Sequence, residues 1–283
     1  MQRLADGRSV ATATVIESKG SVPGKPGARL AVASDGTRRG TVGGAGLEQR
    51  VEAALEALLA SAADGGARAG GEVETFTLHR DAKSDDSNTL DSLCGGKVTV
   101  AMEVLTPMPH ILLVGGGHCS RAIADHASLL GWRWSVLDPR PEYAAEARWP
   151  AASERHCMTA EAFLSESQDG LHRFSDILLV GHDWSFDQTV LIGLLKRLDA
   201  GHTATGRRPA DDDSEVISQR PRIGVIGSRA KWRAFEAAAG DAGVGEQALE
   251  SVACPIGLDI GAESPNEIAV AVCADIIRRE QNG

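Results

Sequence analysis

Gly115 and Gly117 stand in the stretch ILLVGGGHCSRAIADHASLLGWRWSVLDPR, which runs from Ile111 to Arg140. An apolar run leads into them, a helical pattern follows, and Asp138 comes about 20 residues after the turn. The chemistry of such a turn is phosphate binding. Gly115 permits a tight bend, Gly117 lets backbone N–H groups approach an anion, and the helix that follows points its positive end at the same place. Asp138, at the end of a second apolar strand, sits where an acid accepts hydrogen bonds from ribose hydroxyls. Arg140 could meet a phosphate or lie in solvent, and His118 could reach a bound phosphate or make a local turn contact. The third glycine of G-x-G-x-x-G is replaced by Ser120, which is small enough for close packing but weakens a dinucleotide assignment. The same residues also read as the first turn of a sheet that binds no dinucleotide.

A second candidate is Cys94, a thiol directly before Gly95 and Gly96 and a strand. The glycines let backbone approach a ligand closely, and a soft thiolate suits molybdenum or a dithiolene-bearing pterin better than a hard cation. A free cysteine also serves as a small buried hydrophobe. Gly43 and Gly44, at a strand-to-helix turn, could offer N–H groups to an anion or serve geometry alone. His182, Asp183 and Asp187 follow an apolar strand, where parallel sheets put their ligands; helix capping by Asp183 or Ser185 is the competing reading. Of the remaining cysteines, Cys119 belongs to the glycine turn, and Cys157 and Cys273 read as core residues. Cys254, before Pro255, has no clear place. Five widely spaced cysteines without a CxxC pair indicate neither a disulfide framework nor structural zinc.

These residues need elements to hold them. Val10 to Ile16 and Arg29 to Ala33 read as extended, and Leu47, Val51, Ala54, Leu55, Leu58 and Leu59 fill one face of a helix. Val98, Val100, Met102 and Val104 alternate with Thr99, Ala101 and Glu103, which is strand periodicity. Pro107 and Pro109 mark a boundary, giving an N-terminal domain over residues 1–106 and a second over 107–283. From Ile111 the pattern is apolar strand, glycine turn and helix, repeated, with strands at Ile111 to Val114, Ser135 to Leu137, Ile177 to Val180 and Ile223 to Ile226. The expected fold is α/β: a C-terminal Rossmann-like, doubly wound parallel sheet preceded by a smaller α+β N-terminal domain. A helix is expected over Thr189 to Leu198, a mobile polar connection over 201–222, and a closing helix that starts at Pro265.

The chain has 283 residues, with 29 basic and 39 acidic side chains and a net charge of −10. That balance opposes the counterion-release binding on which nucleic-acid proteins depend, so no nucleic-acid partner is expected. The start lacks the apolar stretch of a signal peptide, and no apolar run reaches the roughly 18 residues of a bilayer span. A cytoplasmic protein without membrane contact is the expectation.

The segments GSVPGKPGARLAV, DGTRRGTVGGAGLE and LCGGKVTVAMEVL, followed by VGGGHCSRAIA, VLDPRPEYA, GHDWSFDQTVL, RIGVIGSRAKW and PIGLDIGAESPNEIAVAVCADII, closely resemble the XdhC/CoxI family over nearly the whole chain. Its members are accessory proteins of molybdenum hydroxylases. Three positions depart from the family pattern: Ser120 at the third glycine, Trp184 where a second histidine is common, and Leu93 where some members carry a second cysteine. The resemblance implies a chaperone of purine catabolism that binds molybdenum cofactor (molybdopterin) and protects it. It also implies assistance to sulfuration with a cysteine desulfurase, and insertion of the cofactor into an apo xanthine dehydrogenase-type hydroxylase. Cys94 would then contact the cofactor and its metal, and the Gly115/Gly117 turn with Asp138 would hold its pterin phosphate or a nucleotide part. Such a protein binds and transfers, so it is expected not to be an enzyme; independently of the resemblance, the general frequency of two-fold dimers makes a homodimer the expected assembly. Two rivals stay open: an NAD(P)-dependent Rossmann oxidoreductase, and a pure interaction protein that uses its Rossmann domain as scaffold.

Overall fold

The computed structural model describes residues 2–63, 71–79, 89–91, 95–167, 171–204 and 221–282. The chain divides into two compact units, one of Met1–Pro107 together with Glu280–Gly283 and one of Met108–Arg279. Cys94 and most of the polar connection after residue 204 lie outside the described residues.

The first unit holds helix α1 (Gln2–Ala5), strands β1 (Val10–Gly20), β2 (Arg29–Ala33) and β3 (Arg38–Thr41), helix α2 (Ala45–Ala63), and strands β4 (Gly71–His79), β5 (Thr89–Asp91) and β6 (Gly96–Leu105). Its sheet runs β3-β2-β1-β6-β4-β5, antiparallel except between β4 and β5. Alternation puts Ala11, Ala13 and Val15 of β1 and Val98, Val100 and Met102 of β6 on one buried face. Leu47, Val51 and Leu55, one turn apart along α2, close over that face.

The second unit begins with β7 (His110–Val114), α3 (His118–Leu129), β8 (Arg133–Leu137), α4 (Pro141–Ala144), β9 (Glu154–His156) and α5 (Ala160–Glu166). It continues with β10 (Asp176–Leu179), α6 (Trp184–Ala204), β11 (Arg222–Val225), α7 (Arg229–Asp241), α8 (Glu246–Glu250) and α9 (Pro265–Asn282). The strands are parallel in the order β11-β10-β7-β8-β9. All five residues of β7 are buried, as a strand covered on both faces requires. Leu112, Val114, Ile177 and Leu179 pack with Phe163, Val190, Leu194 and Phe235 on one side. Ile111, Leu113, Trp134 and Val136 pack with Ile123, Ala127, Val272 and Ile276 on the other. This unit is a Rossmann-like α/β domain, and the smaller unit that precedes it in sequence is a mixed-sheet domain.

Two details differ from the sequence reading. Helix α6 starts at Trp184, not Thr189, because Asp183 caps it: its Oδ1 accepts from the N–H groups of Ser185 at 2.9 Å and Phe186 at 3.3 Å. Cys157, read as a core residue, is exposed. Among the described residues no helix is long and apolar enough to cross a membrane.

Candidate functional site at the carboxyl ends of the parallel strands

Of the five parallel strands β7 comes first in sequence, with β8 beside it on one side and β10 on the other. The strand order therefore reverses at β7, and ligands of open α/β sheets bind at the carboxyl ends around such a reversal. The turn after β7 is built from backbone. Gly115 has φ +96°, and a Cβ on it would lie 2.4 Å from the Gly181 Cα after β10. A Cβ on Gly116 would lie 2.3 Å from the Tyr143 carbonyl oxygen. Both positions are buried, and neither has room for a side chain.

Gly117 is different, since a Cβ there would have no neighbour within 4 Å. It is the N-cap of α3, has no side-chain cap, and no acid follows in the first turn. The N–H groups that open a helix have no intrahelical partner, so α3 offers donors and a positive dipole end beside open space. His118 is exposed at this point. Ser120, at the third glycine position, is fully buried and donates its hydroxyl hydrogen bond to the Gly115 carbonyl. The serine thus fastens the turn from beneath, which explains how the fold accommodates the departure from glycine.

Asp138 is 1% exposed. Its Oδ2 accepts from the Gly116 N–H at 2.8 Å and from Arg140 Nη2 at 2.8 Å, and its Oδ1 accepts from the Arg140 N–H and Nε at 2.9 Å each. Burial opposes ionisation of this carboxyl, but the Arg140 side chain and the two backbone donors outweigh it and hold the group below the usual carboxylate range. The Arg140 guanidinium lies 3.7 Å from the centre of the Tyr143 ring. The structure therefore brings Gly115, Gly117, His118, Asp138 and Arg140 to one place.

On the β10 and β11 side, Lys231 Nζ donates to Asp187 Oδ2 at 3.0 Å, and both residues are buried. Burial pushes the Asp187 carboxyl up despite the neighbouring ammonium. A Cβ on Gly181 would fall 2.3 Å from Asp187 Oδ1, so Gly115, Gly181, Asp187 and Lys231 form a stacked floor across three strand ends. Asp183 serves as cap, and His182 is exposed. Among the described residues no group of three or more His, Cys, Asp and Glu side chains could hold a metal ion. Gly116, Tyr143, Gly181 and Lys231 were not singled out from the sequence. The glycine run itself was a signal for the first; the other three depend on contacts between distant segments.

Gly43 and Gly44 belong to the first unit, with φ of +85° and +79°. A Cβ on Gly43 would meet the Pro23 carbonyl oxygen at 2.8 Å, and one on Gly44 the Pro23 Cγ at 2.7 Å. The Gly43 N–H already donates to Thr41 Oγ1 at 3.0 Å, and Glu48 engages the Thr41 hydroxyl. Here glycine allows two loops to interlock. Similarly, a Cβ on Gly96 would lie 2.2 Å from the Lys19 carbonyl oxygen, whereas one on Gly95 would meet nothing within 4 Å, so Gly96 alone lets the start of β6 pack against β1.

Comparison with known proteins gives two matches to family models, one described as the XdhC Rossmann domain over residues 111–276 and one as the XdhC and CoxI family over residues 3–73. The chain is 29% identical over 274 residues to the protein YqeB of Escherichia coli (strain K12), across 96% of this chain and 44% of that protein. It is 27% identical over 175 residues to a probable xanthine dehydrogenase subunit from Bacillus subtilis (strain 168), across 62% of this chain and 44% of that protein. The chain thus spans less than half the length of these curated relatives. A solved structure of a xanthine dehydrogenase from Bacillus halodurans aligns with a TM-score of 0.47 at 18% identity, covering 98% of this chain and 93% of that one.

Proposed function

Since the chain belongs to the XdhC and CoxI family, we propose that it is an accessory protein that binds molybdenum cofactor and hands it to a xanthine dehydrogenase-type hydroxylase, without turning over the purine itself. The observation that carries this reading is the uncapped start of α3 beside open space at Gly117, with Arg140 held at the same strand ends. Such a place suits the terminal phosphate of a phosphorylated pterin. The backbone N–H groups at Gly117 and His118 take the phosphate, and the buried Gly115–Gly116 turn keeps them in position. Cys94 is the thiol proposed to meet the metal end, where a soft thiolate is the fitting donor. When bound, the cofactor supplies the molybdenum–dithiolene chemistry; the chain holds it, orients it and keeps it from solvent. A cysteine desulfurase as sulfur source, a homodimeric assembly and a cytoplasmic location belong to the same proposal.

The test is retention of cofactor freshly released from a donor hydroxylase. Anaerobic gel filtration separates free cofactor, and molybdenum and pterin that travel with the protein are then quantified. Stoichiometric retention by the wild type that the Cys94→Ala variant loses is the expected result. No retention, together with tight binding of NAD, overturns the reading and puts a nicotinamide-dependent oxidoreductase in its place.

A further inference from the structure

In a dinucleotide fold the acid after the second strand receives a ribose diol, which requires open acceptor positions on its carboxylate. Asp138 has none to spare. Two backbone N–H groups and two guanidinium N–H groups converge on its two oxygens at 2.8–2.9 Å, and an ionised carboxylate has about four lone-pair sites in all. A sugar diol arriving here meets an acceptor already saturated from within the chain.

What the position presents instead is the other edge of Arg140. Nε and Nη2 face Asp138, the ring of Tyr143 supports the plane, and the side chain is 43% exposed. The guanidinium is thereby fixed in orientation on its buried side and left with donors on its open side, the arrangement that recognises a phosphate through two parallel hydrogen bonds. Arg140 also stands near the start of α6: its charge is among the causes that hold Asp183 below the usual carboxylate range, after the hydrogen bonds from Ser185 and Phe186. Arg148 lies 5.1 Å from the same Tyr143 ring, so a second positive charge adjoins the platform.

We propose that Asp138 and Arg140 together read a phosphate monoester and reject a ribose diol, Asp138 acting as the positioning residue and Arg140 as the group that touches the ligand. This rests on the reading that the α3 turn holds a phosphorylated ligand, and it names the feature selected there. A phosphate of this class can come from the sugar of a nucleotide or from the side chain of a pterin.

The experiment is calorimetric titration of the full chain with adenosine 2′,5′-bisphosphate and with 5′-AMP, which differ only in the second phosphate. Alongside it, retention of released molybdenum cofactor is measured before and after phosphatase treatment. The bisphosphate is expected to bind about 10-fold tighter or more, as a charge-assisted pair contributes. Arg140→Gln frees Asp138, so the preference should reverse toward 5′-AMP; a merely structural role for Arg140 would weaken both ligands alike. Arg140→Lys, which keeps charge but loses the fork, should retain only part of the preference. Phosphate-dependent retention of the cofactor that Arg140→Gln loses identifies the pterin as the source, and a preference confined to the nucleotides identifies the sugar. Equal or tighter binding of 5′-AMP by the wild type, together with cofactor retention indifferent to its phosphate and to Arg140→Gln, overturns this proposal while the carrier reading stands. Failure of every probe to bind overturns both.

Discussion

The Asp187 carboxylate and the Lys231 ammonium lie 3.0 Å apart with side chains 0% and 5% exposed, roofed by Trp184 and Phe235 at 5.7 and 5.2 Å from the ammonium. The pair ties the first turn of α6 to the first turn of α7. Removing one partner leaves an uncompensated buried charge, a loss of about 3–5 kcal/mol. Lys231→Met should therefore lower the urea midpoint strongly, and Asp187→Asn combined with Lys231→Met should recover more than half of the loss. A double-mutant cycle measures this.

The same variant carries a pH signature. Burial already raises the Asp187 carboxyl, and without Lys231 it rises further above its unfolded value of roughly 3.9. The cost of the bare charge is then present above the folded-state pKa and shrinks as pH falls through it, because protonation removes the charge. Urea titrations of Lys231→Met should show a smaller deficit against wild type at pH 5 than at pH 8. A deficit that is constant or grows on acidification contradicts the assignment.

His110 behaves in the opposite way. It is 2% exposed and its Nε2 pairs with the Ser135 hydroxyl at 2.8 Å. Burial, with Arg133 and Arg173 adding to it and Glu154 opposing, lowers its pKa from 6.5 to about 4. Above pH 6.5 the ring is neutral in folded and unfolded chains alike, so its contribution is fully present. As pH falls toward 4 only the unfolded chain takes up the proton, and stability drops by about 3 kcal/mol at ~1.4 kcal/mol per unit. His110→Gln should flatten the pH dependence of the urea midpoint across this window.

Thiol accessibility gives an independent check on the packing. Cys157 is exposed, whereas Cys273 is 5% exposed on α9 and burial pushes its thiol up to about 11. Burial raises the Cys119 and Cys254 thiols as well. Iodoacetamide at neutral pH followed by peptide mass spectrometry should mark Cys157 before these three, with Cys273 modified only on unfolding. Early modification of Cys273 would mean that α9 does not pack on the sheet as described.

Much of the architecture was legible because it is written in local pattern. Val98, Val100 and Met102 alternate in a half-buried strand and Ile111 to Val114 form an unbroken apolar run in one buried on both faces; Pro265 opens α9 as its fixed φ favours. The Asp183 cap was legible as one of two readings and is borne out, but the helix was expected only from Thr189, because Trp184, Ser185 and Asp187 look polar or awkward for a helix until the partner of Asp187 at Lys231 is known. That partner lies 44 residues away. Likewise the run of three glycines pointed to a phosphate turn, but only the contacts of Gly115 with Gly181 and of Gly116 with Tyr143 reveal which two are structural. Asp138 was legible as the acid after the second strand; that Arg140 occupies its oxygens depends on side-chain rotamers, which spacing does not encode.

That division of labour among the glycines yields the last prediction. Gly115→Ala forces a left-handed φ of +96° on a side chain and drives its Cβ to 2.4 Å from the Gly181 Cα, so the turn must move and stability should fall by about 1–3 kcal/mol. Gly117 has φ −79° and open space around a Cβ, so Gly117→Ala should change the urea midpoint little, within about 0.5 kcal/mol. The added methyl nonetheless stands where a phosphate must approach the N–H groups of α3, and cofactor retention should fall at unchanged stability. Loss of retention in a fully stable Gly117→Ala variant would separate the ligand-facing glycine from the structural ones. Undiminished retention would move the phosphate away from the start of α3.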